Sequence, residues 1–312
     1  MPVRARSGVL VIDKPRGPTS HDVVARVRRA LGTREVGHAG TLDPMATGVL
    51  VVAIGEATKL VPWLTAQAKV YEATIAFGFE TDTLDAEGRE TRRAPLDPGL
   101  LDALAAGRGS LLAPRLRAAL EAERARTVQI PPAFSAIHKD GERAYARARR
   151  GEAVELAPRD VRVHRLEVVA CSAEPPWLSV LLEVDKGYYV RGLARDLAQA
   201  LSTLGHLTSL RRLRSGCFTI DRAIALDTPG DRLADGIEPL AGAASRALPV
   251  ARLSQAGERD ARHGRPLQAP DLEAPTEGAC AWLGADGALV AVGERGEDGR
   301  GRVLRGFAPG NR

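Results

Sequence analysis

The sequence predicts a globular protein that contains both helices and strands and is divided into two unequal domains. Runs of alternating apolar residues, typical of half-buried strands, occur beside runs with the three-to-four spacing of amphipathic helices. A Pro/Gly-rich stretch at 227–239 then leads into a region of short strand-like runs and Gly-rich turns. Because 312 residues can bury a substantial core, we predict one domain over 1–240 and a small β-rich module over 241–312.

The helix after the first strand has the clearest boundaries in the sequence. Thr19 or Ser20 can cap its N-terminus, apolar residues follow at helical spacing, and Gly32 ends it. The other predicted elements are strands at 8–12, 48–52, 161–171, 178–184, 279–283, 288–292 and 302–307, a strand with Tyr71, Ala73, Ile75 and Phe77 on one face, and helices over about 57–64, in two pieces within 92–126, and around Leu193, Leu197 and Leu201.

Composition indicates a globular protein of the cytoplasm. Hydrophobic residues make up 44% of the chain and charged residues 27%, and no apolar run approaches the roughly 20 residues that a membrane span needs. The N-terminal residues lead directly into a strand, which is unlike a signal peptide. The three cysteines are far apart and no histidine lies at metal-ligand spacing from them, so neither disulfides nor a metal site are predicted: Cys171, Cys217 and Cys280.

The positive charge of the chain is concentrated in a few segments. The formal net charge is +5, and the excess of Lys and Arg falls within 1–38, 139–150 and 186–222. Such segments can bind a polyanion, because contacts to phosphates release counterions. A basic face that is merely solvated is the alternative, and charge alone leaves both open.

One aspartate stands in an unusual setting. The run from Gly37 to Pro44 has no helical or strand periodicity, so we predict that Asp43 lies on a shaped loop before a buried strand. Glycines allow the backbone to approach a ligand closely, and Pro44 restricts Asp43 to extended conformations. Because Asp before Pro also opens ordinary turns, a turn and a reactive carboxylate both remain open.

Residues 128–151 predict an arm that contacts phosphates. They combine a Pro131-Pro132 start, an apolar patch and a basic helix. A mobile loop that carries Lys and Arg is a common way to bind RNA.

Several motifs in order give the chain a resemblance to a known family. The motifs are Asp13-Lys14-Pro15-x-Gly-x-Thr19-Ser20, Gly37-His-x-Gly-Thr-Leu-Asp43-Pro-x-Ala-Thr-Gly48, Gly55-x-Ala-Thr-Lys59, Tyr71, Ile130-Pro-Pro-x-x-Ser135-Ala-Ile and Lys186-Gly-x-Tyr189-x-Arg191. With these motifs, the chain resembles the TruB family of tRNA pseudouridine-55 synthases over most of residues 8–218. That resemblance implies the pseudouridine synthase α+β fold, a mixed central sheet with helices and loops around a cleft, and a C-terminal PUA-like module over 241–312 that helps to hold tRNA.

The resemblance assigns the chemistry to a carboxylate and its partners. Asp43 matches the residue that attacks the sugar or takes a proton from it, and the sequence leaves these two roles open. Arg191 matches its partner arginine, and a neighbouring cation keeps a carboxyl group ionised. Tyr71 matches the ring that lies against the flipped base, since a base inside the T-loop must leave its stack to react.

The remaining matched positions are predicted to contact the substrate. Tyr189 and Leu210 match other contacts with the target nucleotide, and His38 matches a residue that can stack in the gap left by the base. Lys14 is assigned mainly to scaffold support, and Lys59 either to the neighbourhood of a phosphate or to loop support.

Two positions depart from the family pattern. His138 stands where the arm often has lysine, which puts the RNA contacts of the arm in doubt. Tyr188 stands where a smaller residue often precedes the motif tyrosine, and it could change how tightly the cleft closes.

These observations favour a tRNA-uridine isomerase that needs no cofactor. The chain has no P-loop, dinucleotide fingerprint or metal cluster. Asp43 is the only acidic residue between Gly37 and Gly55, whereas glycoside hydrolysis uses a pair of carboxyl groups. The alternatives are a non-catalytic tRNA-binding or tRNA-folding protein and a glycosylase that releases uracil. The expected partner is the T-stem-loop of tRNA, and we expect a monomer with no obligate protein partner and no membrane.

Overall fold

The computed structural model describes residues 7–107, 114–135, 137–139, 142–152, 154–273 and 278–308. Within these ranges no helix is both long and apolar enough to span a membrane.

Helices and strands alternate irregularly along the chain. The α-helices are α1 (Ser20–Leu31), α2 (Val61–Ala66), α3 (Pro98–Ala105), α4 (Pro114–Arg124), α5 (Ala144–Arg149), α6 (Val190–Ala200), α7 (Gly230–Asp235), α8 (Leu240–Ala247) and α9 (Gln255–Arg262), and 3-10 helices lie at Gly55–Leu60, Ile220–Arg222 and Ala269–Asp271. The strands are β1 (Gly8–Lys14), β2 (Val36–Ala39), β3 (Thr47–Ile54), β4 (Lys69–Phe77), β5 (Phe79–Thr81), β6 (Glu90–Arg93), β7 (Val128–Gln129), β8 (His138–Lys139), β9 (Glu142–Arg143), β10 (Arg159–Asp160), β11 (Val163–Ala173), β12 (Pro176–Val184), β13 (Gly205–Ser215), β14 (Phe218–Thr219), β15 (Ile224–Ala225), β16 (Glu238–Pro239), β17 (Val250–Leu253), β18 (Leu272–Glu273), β19 (Ala279–Leu283), β20 (Leu289–Arg295) and β21 (Gly301–Gly306).

The boundaries of α1 confirm the prediction from the sequence. The Thr19 side chain accepts a hydrogen bond from the Asp22 backbone N–H, and the Asp22 carboxylate accepts one from Thr19 N–H, which forms a capping box. Gly32 ends the helix with φ of 63°, in the left-handed region that glycine adopts without strain.

The chain divides into two compact units. Unit 1 comprises Met1–Pro44, Gly48–Ala66 and Ser215–Arg312, and unit 2 comprises Met45–Thr47 and Gln67–Arg214. The division into domains over 1–240 and 241–312 stays a prediction.

Unit 1 contains a mixed sheet, as predicted. β1 runs antiparallel to β3, with Gly8 opposite Ile54, and parallel to β15, with Ile12 opposite Ile224. β2 pairs with β3, and β16 pairs with β1. β3 is buried along almost its whole length, which explains its continuous apolar sequence.

The C-terminal part of unit 1 is the predicted β-rich module. Its five strands are ordered β18-β17-β19-β20-β21. Trp282 fills the core of the module, and a Cβ atom at Gly293 would lie 2.3 Å from its ring, so glycine is required there. Another cluster joins this module to the N-terminal strands, because Leu283 and Phe307 share a core with Val9.

Unit 2 is built on a sheet with the strand order β11-β12-β4-β13. β12 lies antiparallel to both β11 and β4, and Tyr71 is opposite Leu182. Strand β13 was not predicted from the sequence. Arginines at 211, 212 and 214 break the apolar alternation of this strand, although Arg212 is itself buried. Short ladders join β5 to β6, β7 to β10 and β8 to β9.

Candidate active site

Asp43 lies in the loop between β2 and β3, as the sequence predicted. The predicted loop was too long, however, because Gly37 and His38 belong to β2, where His38 is opposite Val52. A four-residue strand that contains glycine has a low intrinsic strand preference and forms here through its pairing with β3. The irregular segment that presents Asp43 therefore covers residues 40–46.

The backbone just before Asp43 is fixed by a buried hydroxyl group. Ser20 Oγ accepts a hydrogen bond from Leu42 N–H at 2.9 Å and donates one to the Leu42 carbonyl at 3.1 Å. Ser20 is the first residue of α1, so the predicted helix start also holds the loop. Because a hydroxyl can donate and accept at once, a single side chain satisfies both backbone groups of Leu42.

The backbone just after Asp43 is fixed by a buried ammonium group. Lys14 is 0% exposed, and its Nζ donates to the carbonyls of Pro15 at 3.0 Å and Pro44 at 3.2 Å. Gly17 N–H donates to the same Pro44 carbonyl at 2.9 Å. The residues on both sides of Asp43 are thus held by hydrogen bonds, and these contacts favour a scaffold role for Lys14.

His38 stands beside a second histidine. Its ring is half-buried, and its centroid lies 5.4 Å from that of His21 in an edge-to-face arrangement. His21 is exposed on the first turn of α1. The predicted stacking role of His38 stays a prediction.

Lys59 contacts the C-terminal end of the described chain. Its Nζ lies 2.6 Å from the Glu56 carboxylate and 5.7 Å from the centroid of the Phe307 ring, and it donates to the Gly306 carbonyl at 3.4 Å. Ala308 N–H donates to Glu56 at 2.8 Å. Burial raises the pKa of the Glu56 carboxyl group, but its hydrogen bonds with Lys59 and then Ala308 bring that pKa below its usual value. Between the two roles predicted for Lys59, these contacts favour structural support.

Arg191 occupies a buried position at the start of α6 in unit 2. The residue is only 6% exposed, and its guanidinium donates to the carbonyls of Thr83 at 2.9 Å and Phe134 at 2.8 Å. Its Nε also lies 3.7 Å from an Asp85 carboxylate oxygen, which forms an ion pair. A buried guanidinium needs such partners, since an isolated charge in the interior is very costly.

Asp85 is a residue that sequence reasoning missed. Its carboxylate also accepts hydrogen bonds from Thr83 Oγ1 at 2.6 Å and from Glu87 N–H at 3.0 Å. The preceding Leu84 has φ of 61°, an uncommon value for a non-glycine residue that often marks a constrained site. In the sequence, Thr81 to Asp85 is typical of a polar turn, and nothing there identifies a buried partner for Arg191.

Two of the predicted nucleotide contacts lie on neighbouring strands of unit 2. Tyr71 is on β4 and Leu210 is on β13, and both are buried. Burial alternates along β4, so Tyr71 shares a face with Ala73 and Ile75, as predicted. Tyr189 is half-buried and is the N-cap residue of α6, two positions before Arg191.

A second residue missed by the sequence analysis lies on the same face of β4 as Tyr71. Lys69 is buried, and its Nζ donates to the Gln67 carbonyl at 2.5 Å. Burial, together with the nearby positive charges of Arg212 and Lys186, lowers the pKa of Lys69 to about 8. Lys69 is therefore still mostly protonated near pH 7 and adds positive charge to the surroundings of Tyr71.

Tyr188 has a structural partner that explains why a large residue fits there. Its hydroxyl donates to Glu123 on α4 at 2.7 Å, and the other Glu123 oxygen pairs with Arg126 at 2.7 Å. Burial and the Glu123 carboxylate raise the pKa of Tyr188 well above its usual value, so the hydroxyl stays protonated as a donor. The effect on closure of a cleft stays a prediction.

We expect Tyr188→Phe to lower the free energy of unfolding by about 1–3 kcal/mol, because it removes a hydrogen bond from a buried carboxylate. The Glu123 side chain is only 2% exposed, so water does not readily replace the hydroxyl. Urea unfolding of the two proteins measures the difference. Tyr145→Phe, at an exposed tyrosine, is the matched control and should change stability by less than about 0.5 kcal/mol. Equal effects of the two substitutions would contradict this role for Tyr188.

Comparison with known sequences places the chain among the pseudouridylate synthases. Residues 28–190 match the profile described as TruB family pseudouridylate synthase (N terminal domain). The chain is 43% identical to tRNA pseudouridine synthase B of Thermobifida fusca, over 92% of this chain and 94% of that protein. It is 42% identical to tRNA pseudouridine synthase B of an Arthrobacter species, over 98% of each. The chain belongs to the TruB family, which confirms the resemblance seen in its motifs.

Solved structures show the same fold over nearly the whole chain. A chain in an H/ACA RNP bound to a substrate RNA containing 2'-deoxyuridine superposes with a TM-score of 0.68 at 23% identity, covering 97% of this chain and 85% of that one. A chain in a Cbf5-Nop10-Gar1 complex gives a TM-score of 0.68 at 24% identity, covering 96% and 84%. The predicted α+β fold with a mixed sheet and a C-terminal β-rich module is confirmed.

Proposed function

We propose that this protein converts the T-loop uridine at position 55 of tRNA to pseudouridine. Its relatives in Thermobifida fusca and Arthrobacter are tRNA pseudouridine synthases B, and the similarity extends over nearly the full length of each. The observation that carries the proposal is the loop of Asp43, whose backbone is fixed on both sides by Ser20, Lys14 and Gly17. A carboxylate presented by a rigid loop suits a reaction that needs one accurately placed nucleophile or base.

Asp43 acts on the ribose of the flipped nucleotide, either by attack at the sugar carbon or by removal of a ribose proton. The N-glycosidic bond then breaks, the uracil turns, and C5 of the base bonds to the ribose carbon in place of N1. C5 loses its proton, N1 gains one, and Asp43 returns to its starting state. No atom is gained or lost, so the product has the mass of the substrate and the net reaction requires no redox cofactor.

Arg191 supplies a fixed positive charge to this chemistry. Thr83, Phe134 and Asp85 orient its guanidinium before any substrate binds. A charge that is already oriented costs no reorganisation during the reaction, which makes it an effective stabiliser of a reacting anion. Its pairing with Asp43, implied by the family resemblance, is part of this proposal.

Tyr71, Tyr189 and Leu210 replace the stacking that the target base loses when it leaves the T-loop. His38 occupies the gap in the RNA, and Lys69 adds positive charge that attracts the phosphate backbone. The arm at 128–151 and the module at 241–312 hold the rest of the tRNA.

The family resemblance implies where the protein acts and with which partners. The protein acts as a monomer in the cytoplasm, with no cofactor and no obligate protein partner. Its substrate is the T-stem-loop of tRNA, and the modest positive charge of the chain, +5 with an isoelectric point near 9.4, fits an RNA substrate.

The test is a primer-extension assay after carbodiimide treatment, which marks pseudouridine in RNA. Unmodified tRNA transcript is incubated with the protein, and a second transcript carries cytidine in place of the T-loop uridine. We expect one strong stop at the T-loop in the first transcript and none in the second. Binding without a stop would instead identify a tRNA-binding protein, and release of free uracil would identify a glycosylase.

A further inference from the structure

The first residues of the predicted arm are held in a short β-ladder of unit 2. β7 and β10 pair antiparallel, with Gln129 opposite Arg159 and Val128 opposite Asp160. Val161 N–H donates to the Thr127 carbonyl at 2.9 Å, which extends this ladder by one hydrogen bond. The first two arm residues therefore pair with the chain that follows the arm, and Gln129 is the last residue of β7.

The Gln129 side chain clamps the backbone of Tyr189. Its Oε1 accepts from Tyr189 N–H at 2.8 Å, and its Nε2 donates to the Tyr189 carbonyl at 3.1 Å. The residue is only 1% exposed, so these hydrogen bonds are shielded from water. Tyr189 has an extended backbone, and its own side chain makes no capping hydrogen bond to α6. One amide therefore pairs with both backbone polar groups of the residue that begins α6.

The Gln129 amide packs closely against the first turn of α6. A Cβ atom at Gly192, on the first turn of α6, would lie 2.7 Å from Gln129 Nε2 and 3.0 Å from its Cδ. Glycine at 192 thus leaves room for the Gln129 amide. The arrangement also tolerates little displacement of Gln129 relative to α6.

Two further hydrogen bonds join the same helix to the beginning of the arm. Arg195 donates to the Ile130 carbonyl at 2.8 Å, and Arg191 donates to the Phe134 carbonyl at 2.8 Å. Arm residues 129, 130 and 134 are therefore held by residue 189, the N-cap of α6, and by α6 residues 195 and 191, respectively. These contacts connect the path of the arm to the tyrosine and the arginine that the proposed function uses.

We propose that Gln129 is a positioning residue that couples the arm to catalysis. When the arm is bound to RNA, the position of the arm fixes the position of Gln129. The two hydrogen bonds of Gln129 then fix the backbone of Tyr189 and the first turn of α6, which carries Arg191. The effect is on geometry in the reacting complex, so losing the clamp lowers turnover more than affinity. This inference rests on the proposed function, because it depends on the roles given there to Tyr189 and Arg191.

The test compares Gln129→Leu, which keeps the size of the side chain but removes both hydrogen bonds, with Gln129→Glu. The matched control is Gln199→Leu, at an exposed glutamine on the same helix. We expect Gln129→Leu to lower kcat about 10- to 100-fold with the dissociation constant for tRNA nearly unchanged, since small misplacements of reacting groups have effects of this size. Gln199→Leu should retain the wild-type kcat.

Gln129→Glu gives a signature that depends on protonation. A protonated carboxyl group can both donate and accept, as the glutamine does, whereas the ionised form presents two acceptors to the Tyr189 carbonyl. Burial raises the pKa of a carboxyl group, so the kcat of Gln129→Glu relative to wild type should rise as the pH is lowered.

The outcomes separate this inference from the proposed function. A folded Gln129→Leu protein with wild-type kcat would overturn it, and so would equal losses of kcat and affinity. If Gln129→Leu does not fold, the pH dependence of kcat for Gln129→Glu is the deciding measurement. A kcat of Gln129→Glu relative to wild type that does not change with pH would overturn the inference. Absence of pseudouridine with the wild-type protein would instead reject the proposed function.

Discussion

Purified Asp43→Asn should bind tRNA and form essentially no pseudouridine. Asparagine has the size of aspartate but supplies neither a carboxylate nucleophile nor a base, so we expect turnover to fall by at least about 10²- to 10⁴-fold. The protein should still fold, because Ser20, Lys14 and Gly17 hold the backbone of residues 42 and 44 and do not depend on the Asp43 side chain. Single-turnover conversion of tRNA transcript and filter binding measure the two quantities separately.

The matched control for this substitution is Asp102→Asn, at an exposed aspartate on α3. It makes the same chemical change away from the proposed chemistry and should leave turnover unchanged. Conversion of T-loop uridine by Asp43→Asn at a rate near that of the control would show that the mechanistic assignment is wrong.

The second large effect is expected at Arg191. Arg191→Lys keeps a positive charge but loses the planar fork that contacts Thr83, Phe134 and Asp85, so we expect turnover to fall about 10²- to 10³-fold. Affinity for tRNA should fall far less. Arg191→Ala should lose turnover more completely, but it also removes the cation beside the buried Asp85 carboxylate, at a cost of about 3–5 kcal/mol. Its circular dichroism and thermal unfolding are therefore measured before its kinetics.

Arg165→Lys on β11 is the matched control for Arg191→Lys. Arg165 pairs with Glu167 on the surface, where ion pairs contribute little to stability, so this substitution should be neutral. Equal losses of turnover and tRNA affinity in folded Arg191→Lys would count against a role in the chemical step.

Local signals in the sequence were sufficient to predict α1, β4 and the loop of Asp43. Thr19 and Gly32 define the ends of α1 by the conformations they favour, and the alternation that begins at Tyr71 defines β4. The position of Asp43 on a loop followed from the absence of periodicity. These predictions succeed because each depends on residues that are close together in the chain.

The partners that position the site could not be predicted in this way. The two carbonyl groups that receive hydrogen bonds from Arg191 are 108 and 57 positions away in the sequence, and Gln129 lies 60 positions from Tyr189. No local pattern identifies such partners, because they meet only when strands and helices pack together. Asp85 looks like an ordinary turn residue for the same reason. The contacts of Lys59 with Gly306 and Phe307 also required the structure.

The most direct test of the central claim is a crystal structure of Asp43→Asn bound to a T-stem-loop RNA that contains uridine at position 55. We predict that this uridine is flipped out of the loop, with its base against Tyr71 and its ribose within about 3–3.5 Å of the side chain at position 43. The Arg191 guanidinium should lie within about 4–6 Å of that side chain. A side chain at position 43 that faces solvent, far from Tyr71, Tyr189 and Arg191 while the uridine stays stacked, would contradict the account.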